Sequence, residues 1–436
     1  MTNLNDTAAA VASTATPPAA AAPPTTPTSA ATAPAAWQDR YADTMMGVFA
    51  PPLALLVRGS GCYVWDDSGV EYLDFLGGIA VNSLGHAHPD VVAAVTAQVE
   101  TLMHVSNYFA SAPQLDLAER LLRLTGAGTA GRVYFCNSGT EANEAAFKLA
   151  RLNTSAQRSR ILTLTESFHG RTMGALALSG KPAMRHPFEP VPGGVEHIAP
   201  TLAALEAAVD DTVAALFLEP VQGEAGVIDL PDGFLQRARE LCTEHGVLLI
   251  LDEVQTGVAR TGSWFAFQQF DIEPDAITLA KGLGGGLPIG ALITFGSASQ
   301  LFQRGQHGST YGGNPLVTAG SNAVLSVIER DGLVENARHR GEQVRQIVAG
   351  YKSPLISGAR GRGLLVGIAL TQPVAAQLAA AALAEGLIVN APNASTIRLA
   401  PPLIVGDAEL VVFGLRFGRA LNAVTAQLAD DAASVS

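Results

Sequence analysis

The chain of 436 residues carries only four lysines: Lys148, Lys181, Lys281 and Lys352. Three stand in polar or helical surroundings, where a solvated ammonium is the expected role. Lys281 ends the apolar run 275–280 and opens the nearly side-chain-free stretch Gly282-Leu283-Gly284-Gly285-Gly286. An amine taken out of water there loses its proton more easily and becomes a nucleophile toward carbonyls. The competing reading is a stem laid along an apolar edge with its head in solvent. Asp252 poses the matching question, because the apolar strand 247–251 runs straight into it. A carboxylate placed there needs a partner, since an unpaired one is expensive to bury. A protonated ring nitrogen serves, through a charge-assisted hydrogen bond of about 1.5–3 kcal/mol. A helix N-cap is the plainer role.

Other strand ends carry further chemistry. Asn137-Ser138-Gly139-Thr140 lies at a strand-to-helix turn. Gly139 lets backbone approach a ligand closely, and the free amides of a helix start favour an anion such as phosphate; an ordinary N-cap fits the same residues. The loop lacks the Gly-x-x-x-x-Gly-Lys-Ser/Thr pattern of triphosphate sites, and no Gly-x-Gly-x-x-Gly follows a first strand, which weakens a dinucleotide reading. In Ser167-Phe168-His169-Gly170-Arg171, Phe168 can lie flat on a planar ligand and Arg171 offers a fork for a carboxylate. A core phenylalanine and a surface arginine are the bland alternatives. Leu218-Glu219-Pro220-Val221-Gln222-Gly223-Glu224 follows another strand, and His307-Gly308-Ser309-Thr310-Tyr311-Gly312-Gly313-Asn314 is rich in hydroxyl and glycine. Arg398 sits inside the apolar Thr396-Ile397-Arg398-Leu399. A buried arginine needs an anion, either Glu224 or a substrate carboxylate.

One amine, one buried carboxylate, one stacking aromatic, one anion cup and two carboxylate-reading arginines describe a pyridoxal 5'-phosphate site handling dicarboxylic amino acids. In that chemistry the cofactor is the electron sink. His86 and His88 form a His-x-His pair without a nearby third ligand, so a capped turn into the helix from Pro89 is preferred and no metal is expected.

The elements that must hold these residues alternate along the chain. Strands are expected over 132–136, 160–165, 213–218 and 247–251. Helices are expected over 141–152, 201–207 and 233–245, the first packing through Ala142, Ala145, Ala146, Leu149 and Ala150. Alternation of this kind predicts an α/β fold, a mostly parallel central sheet with helices on both faces. Ligands in such sheets sit at the carboxyl ends of the strands. The helix from Pro89 is expected to present Val91, Val92, Val95 and Val99 on one face. A long helix over 314–330 leads to a smaller α/β unit with helices over 333–348 and 374–385, strands over 363–370, 387–389 and 396–399, and a helix from Asp407. The expected organisation is a disordered Ala/Pro/Thr-rich tail over 1–36, an N-terminal segment over 37–75 packing with the small domain, a large domain over 76–330 and a small domain over 331–436.

Composition narrows the function classes. Hydrophobic residues make up 48% and charged residues 15%, enough to fill a large core. A net charge of -12 argues against nucleic acid as a partner. No apolar run approaches the length of a membrane span. Cys62, Cys136 and Cys242 are odd in number and scattered, which fits a reducing cytoplasm better than a disulfide framework. The tail has no Lys or Arg before Arg40, unlike a secretory or transit leader.

From about Trp37 to about Arg419 the chain resembles the class III, fold-type I, pyridoxal-phosphate aminotransferases. The runs that carry the resemblance are Leu76-Gly77-Gly78-Ile79-Ala80-Val81-Asn82, Asn137-Ser138-Gly139-Thr140-Glu141-Ala142-Asn143-Glu144, Phe168-His169-Gly170-Arg171-Thr172, Asp252-Glu253-Val254-Gln255-Thr256-Gly257, Ala280-Lys281-Gly282 and Thr310-Tyr311-Gly312-Gly313-Asn314-Pro315. Within that class they are most similar to the acetylornithine aminotransferases. The ornithine, succinylornithine and 4-aminobutyrate transaminases share most of them. The resemblance implies a cytoplasmic homodimer exchanging N-acetyl-L-ornithine and 2-oxoglutarate for N-acetyl-L-glutamate 5-semialdehyde and L-glutamate in arginine biosynthesis. It also implies roles. Lys281 anchors the cofactor and shuttles the proton, Asp252 pairs with the ring nitrogen, Gln255 lies near the phenolic oxygen and Phe168 stacks on the ring. Ser138, Gly139 and Thr140 hold the phosphate, and Thr310, with Ser309 beside it, reaches across from the second subunit. Arg171 takes the acetylornithine α-carboxylate. Arg398 takes that of glutamate, and Glu224 covers Arg398 while the ω-amine donor is bound.

Overall fold

The structure, a computed structural model, describes residues 36–435. The expected tail over 1–36 falls, but for Ala36, outside the described residues. The chain divides into two compact units between Leu55 and Leu56. Helix Trp37–Thr44 belongs to the first.

The second unit opens with three short antiparallel strands, β1 (Leu56–Ser60), β2 (Tyr63–Asp66) and β3 (Glu71–Asp74). Asp66 makes the turn between β2 and β3, its Oδ1 accepting from Ser68 N at 3.0 Å and Val70 N at 2.9 Å, an aspartate side chain replacing a backbone turn. Then come β4 (Arg132–Cys136), β5 (Arg160–Leu164), β6 (Val195–Ile198), β7 (Val213–Leu218), a small hairpin of β8 (Val221–Gln222) and β9 (Ile228–Asp229), β10 (Leu248–Asp252), β11 (Ala276–Leu279) and β12 (Gly290–Thr294). Strands β4, β12, β11, β10, β7, β5 and β6 line up in that order as a seven-stranded sheet. All pairs from β11 to β6 are parallel. β12 is antiparallel to both of its neighbours. It reads as part of the glycine-rich turn in the sequence, and it is the exception in a mostly parallel sheet. Because β12 reverses twice, β4 still points the same way as β11. Every strand preceding a candidate site residue in this sheet therefore ends on one edge.

β7 and β10 are buried along their whole length, as parallel strands covered on both faces must be. Helix Gly139–Leu152 buries Ala142, Ala145, Ala146, Leu149 and Ala150, the expected stripe, and Asn143 and Phe147 with them. Small alanines let this helix lie close to the sheet. Helix Pro89–Thr101 departs from expectation: no residue of it is buried, and Val92 and Val99 are about half exposed. His88 caps this helix, its Nδ1 accepting from Asp90 N at 3.3 Å. His86 instead pairs with Asp74 at 2.8 Å.

Past helix Pro315–Arg330, a second sheet carries β13 (Ile356–Arg362), β14 (Leu365–Leu370), β16 (Asn390–Asn393) and β17 (Thr396–Leu399) in the order β13-β14-β17-β16. Between them β15 (Leu387–Ile388) runs parallel to β3 and completes the first small sheet. Helices Leu333–Gly350, Ala375–Ala384 and Asp407–Val435 accompany this region. Arg260 ties it to the loop after β10. That guanidinium is 2% exposed and donates to Leu364 O at 3.1 Å and to Pro401 O, with no carboxylate against it among the described residues.

Candidate active site

The common edge of the main sheet opens into a cavity of about 410 Å³. β4 delivers Asn137, Ser138, Gly139 and Thr140; β5 delivers Phe168, His169, Gly170 and Arg171; β7 delivers Glu219 and Glu224; β10 delivers Asp252, Val254 and Gln255; β11 delivers Lys281. The loop before β12 adds Gly286, Leu287, Pro288 and Ile289.

Among the described residues Lys281 is the only lysine lining this cavity. Its backbone has φ 41°, a left-handed conformation that a side chain enters only under constraint. Burial lowers its pKa, Arg398 lowers it further, and the carboxylates of Glu224, Asp252 and Glu219 oppose them. The net direction favours the neutral amine, the form that attacks a carbonyl.

Asp252 is 4% exposed and has its partners on neighbouring elements. Its Oδ2 accepts from Asn143 Nδ2 at 2.7 Å and pairs with His169 Nδ1 at 2.8 Å. Asn143 is itself fixed, donating to His169 O at 2.7 Å and accepting from Thr278 Oγ1 at 2.8 Å. The far ring nitrogen of His169 meets Thr163 Oγ1 at 3.2 Å. Burial works against a charged His169, but the Asp252 carboxylate outweighs it and raises the histidine's pKa. Among the described residues Asp252 Oδ1 accepts only Val254 N, at 3.0 Å. A carboxylate oxygen has room for more than one donor, and this one belongs to a residue that lines the cavity. The N-cap role and the ring-partner role are thus both available to the same side chain, one through each use of Oδ1.

At the start of helix Gly139–Leu152, Ser138 Oγ accepts from Glu141 N at 3.3 Å and Ser138 O from Ala142 N at 3.1 Å. The amides of Gly139 and Thr140 have no acceptor among the described residues. Thr140 Oγ1 is occupied, accepting from Arg171 N and Thr172 N at 3.1 Å each. This contact requires Gly170, with φ 134°, because a Cβ there would lie 2.2 Å from Thr140 Oγ1. Phe168 lines the cavity, and Arg171, exposed at its rim, lies 5.8 Å from the Phe168 ring.

Arg398 is 1% exposed in β17. It donates to Asn390 Oδ1 at 2.9 Å and to Gln255 Oε1 at 3.3 Å, and forms an ion pair with Glu224. Burial disfavours a charged Glu224, yet the Arg398 charge and hydrogen bond prevail and lower its pKa. Glu219, 5% exposed, accepts Phe168 N on Oε1 at 2.9 Å. Burial and then Asp252 push its carboxyl up, against His169, the Phe168 amide and Lys281, to about 7.

Ser309 and Thr310 do not line this cavity. Ser309 Oγ accepts from Asn137 Nδ2 at 3.2 Å and Gly312 N at 2.9 Å, while Thr310 is exposed. Sequence reasoning missed Asn143, His169 and Glu219 as site residues. For Asn143 a signal existed: a polar residue on a helix face otherwise apolar.

The arrangement fits a pyridine aldehyde phosphate. Lys281 offers the amine, Asp252 Oδ1 an open acceptor for a ring N–H, and the Gly139 and Thr140 amides an anion cup. Among the described residues no three His, Cys, Asp or Glu side chains gather as a metal site, and no helix is long and apolar enough to cross a membrane.

Comparison with known proteins agrees with this geometry. Residues 47–421 match the family model for class-III aminotransferases. Acetylornithine aminotransferase of Mycobacterium leprae is 50% identical over 402 residues, 92% of this chain and 99% of that one. Among solved structures, ornithine aminotransferase of Toxoplasma gondii superposes with a TM-score of 0.85 at 32% identity, covering 90% of this chain and 95% of its own. N-acetylornithine aminotransferase of Stenotrophomonas maltophilia does so with a TM-score of 0.76 at 37% identity, covering 86% and 98%. With the family model spanning most of the chain and the lysine, carboxylate and anion cup converging on one cavity, the chain belongs to the pyridoxal-phosphate-dependent class-III aminotransferases.

Proposed function

We propose that this enzyme transfers an amino group from N-acetyl-L-ornithine to 2-oxoglutarate, giving N-acetyl-L-glutamate 5-semialdehyde and L-glutamate, the arginine-biosynthetic reaction. The observation that carries the reading is Arg398, buried in β17 behind the lining and covered by Glu224, which lines the same cavity as Lys281. One substrate brings a carboxylate beside the reacting carbon and the other does not. A guanidinium whose charge is met by a displaceable carboxylate suits both. The names of relatives at about half identity point to the same donor.

Bound pyridoxal phosphate supplies the electron sink for the carbanion. This chain's residues do the rest. Lys281 binds the cofactor and moves the proton at the substrate carbon. Asp252, steadied by His169 and Asn143, holds the proton on the ring nitrogen. Gly139 and Thr140, with Ser138, would hold the phosphate, Phe168 would stack on the ring, and Gln255 would serve the phenolic oxygen. Arg171 binds the α-carboxylate of N-acetylornithine at the rim, and Arg398 binds that of glutamate once Glu224 leaves. Thr310 and Ser309 serve a partner's cavity in a homodimer, a reading supported by the exposure of Thr310 and of the neighbouring Tyr311. The three cysteines are buried and unpaired, which supports a reducing cytoplasm.

Steady-state kinetics with N-acetylornithine, ornithine, succinylornithine, succinyldiaminopimelate and 4-aminobutyrate test the donor. N-acetylornithine should give the highest or near-highest kcat/KM. A clear preference for ornithine, the donor in the name of the Toxoplasma structure, would replace the assignment. Turnover without any oxo-acid acceptor would point instead to a non-transaminase enzyme of the same fold type.

A further inference from the structure

Glu224 has more than one cation beside it. Lys181, after the segment Met173–Leu178, donates through Nζ to the Glu224 carbonyl at 2.8 Å. The loop around Glu224 is held at three further points. Gln222 Nε2 donates to Thr165 O at 3.0 Å, Asn393 Nδ2 to Ala225 O at 2.8 Å, and Arg360 Nη2 to Gly226 O at 2.7 Å. With the loop held, a departure of Glu224 from Arg398 is a rotation of its side chain. The pair is lopsided in the right sense, since the Glu224 side chain is 26% exposed and that of Arg398 only 1%. A carboxylate leaving a guanidinium in a partly dry site needs a second counter-charge. Lys281 is a poor one, because its own surroundings disfavour the ammonium. Lys181 is the remaining ammonium in contact with the residue, and its charge also acts on the Glu224 carboxyl.

We infer that Lys181 is a positioning residue for the dicarboxylate half-reaction: it receives the Glu224 carboxylate when Arg398 is taken by the substrate, and so sets how readily the arginine is uncovered. This rests on the reading of Arg398 as the glutamate site. The energetic logic is a population shift. Binding at Arg398 is weakened by the fraction of molecules in which Glu224 still covers it, and a group that stabilises only the uncovered state tightens the dicarboxylate alone.

The test uses holoenzyme and two readouts: calorimetric binding of glutarate, a dicarboxylate without a reacting amine, and the single-turnover rate with N-acetylornithine. Lys181→Met and Lys181→Gln should each raise the glutarate Kd about fivefold, the size of one modest ion pair. Lys181→Arg should restore it to within about twofold, and the N-acetylornithine rate should stay within the same margin. In a Glu224→Gln background Lys181→Met should change the glutarate Kd no further, because the carboxylate to be received is gone. An unchanged Kd in both neutral variants, equal losses in both readouts, or a full effect of Lys181→Met without Glu224 would each overturn the inference. If Arg398→Met leaves glutarate binding untouched, the carboxylate site itself is misassigned and the inference falls with it. Dicarboxylate binding as expected, with no turnover of N-acetylornithine, would sink the donor assignment alone.

Discussion

Two walls of one cavity are built on opposite plans. At the Asp252 wall a buried carboxylate is held from two elements at once, by Asn143 on helix Gly139–Leu152 and by His169 after β5, and Asn143 is in turn fixed by Thr278 of β11. Nothing there can move without breaking several hydrogen bonds in a dry place, each expensive to leave unmade. At the Arg398 wall the charge is just as deeply buried, but its counter-ion comes from one partly exposed side chain on a loop. The first plan suits a partner needed unchanged in both half-reactions. The second suits a site that must accept two substrates of different charge. The same buried ion-pair chemistry is therefore used once for rigidity and once for exchange.

The largest test of the contrast is Asp252→Ala. It should leave a folded protein whose kcat falls in both half-reactions together, by about 10²–10³-fold, the usual cost of removing one preorganised electrostatic group. Single-turnover absorbance measurements with each substrate separate the two. Near-normal kcat with cofactor bound would refute the rigid-wall role. Arg398→Ala should be smaller overall and lopsided. The glutamate half-reaction should lose about 10²-fold in kcat/KM, within the range for truncating a buried charge partner, and the N-acetylornithine half-reaction much less. Equal losses would erase the division between the walls.

The contrast was only half visible in the chain. Period and alternation give β5, β7 and β10 and the helices between them, because buried parallel strands are unbroken apolar stretches such as residues 213–218. β12 escaped because Gly290 opens it beside a glycine-rich turn. β13 escaped because Ile356-Ser357-Gly358-Ala359-Arg360-Gly361-Arg362 alternates no apolar face and buries little. In the site, Lys281, Asp252 and Arg398 could be read because each puts a charge where apolar neighbours demand burial. Of their supports only Asn143 left a trace, as a polar residue within an apolar helix face. Asn143 lies 109 residues from Asp252 in sequence and His169 lies 83, and only the sheet order brings them together. Lys181 likewise looked like an ordinary surface lysine, since its contact with the Glu224 carbonyl is made by folding alone.

Asn143→Ala sharpens the rigid wall from behind. It leaves Asp252 in place with His169 as its remaining side-chain partner. Losing one hydrogen bond to a buried carboxylate should lower kcat about tenfold in both half-reactions, with glutarate binding at Arg398 unchanged. A selective loss of dicarboxylate binding would mean that the two walls are coupled, contrary to their separate construction.

Glu219 also lines the cavity and feels Asp252, His169 and Lys281, and its contrast with the walls is read in stability rather than in rate. Its folded pKa of about 7 stands above the ordinary 4.5 of a glutamate, so between those values the folded chain holds a proton that the unfolded chain releases. Stability contributed by this group must then fall as pH rises from about 4.5 to about 7, and level off above. Glu219→Gln removes the titration while keeping an oxygen for the Phe168 amide. Thermal unfolding of both proteins between about pH 5 and 8 should show the variant gaining on the wild type as pH rises, at up to about 1.4 kcal/mol for each unit by which the two pKa values differ. Glu253, pushed to about 7 by burial, is present in both proteins and cancels in the difference. Parallel curves across the range would show that Glu219 is ionised throughout, and that the cavity between the walls is wetter than its burial implies.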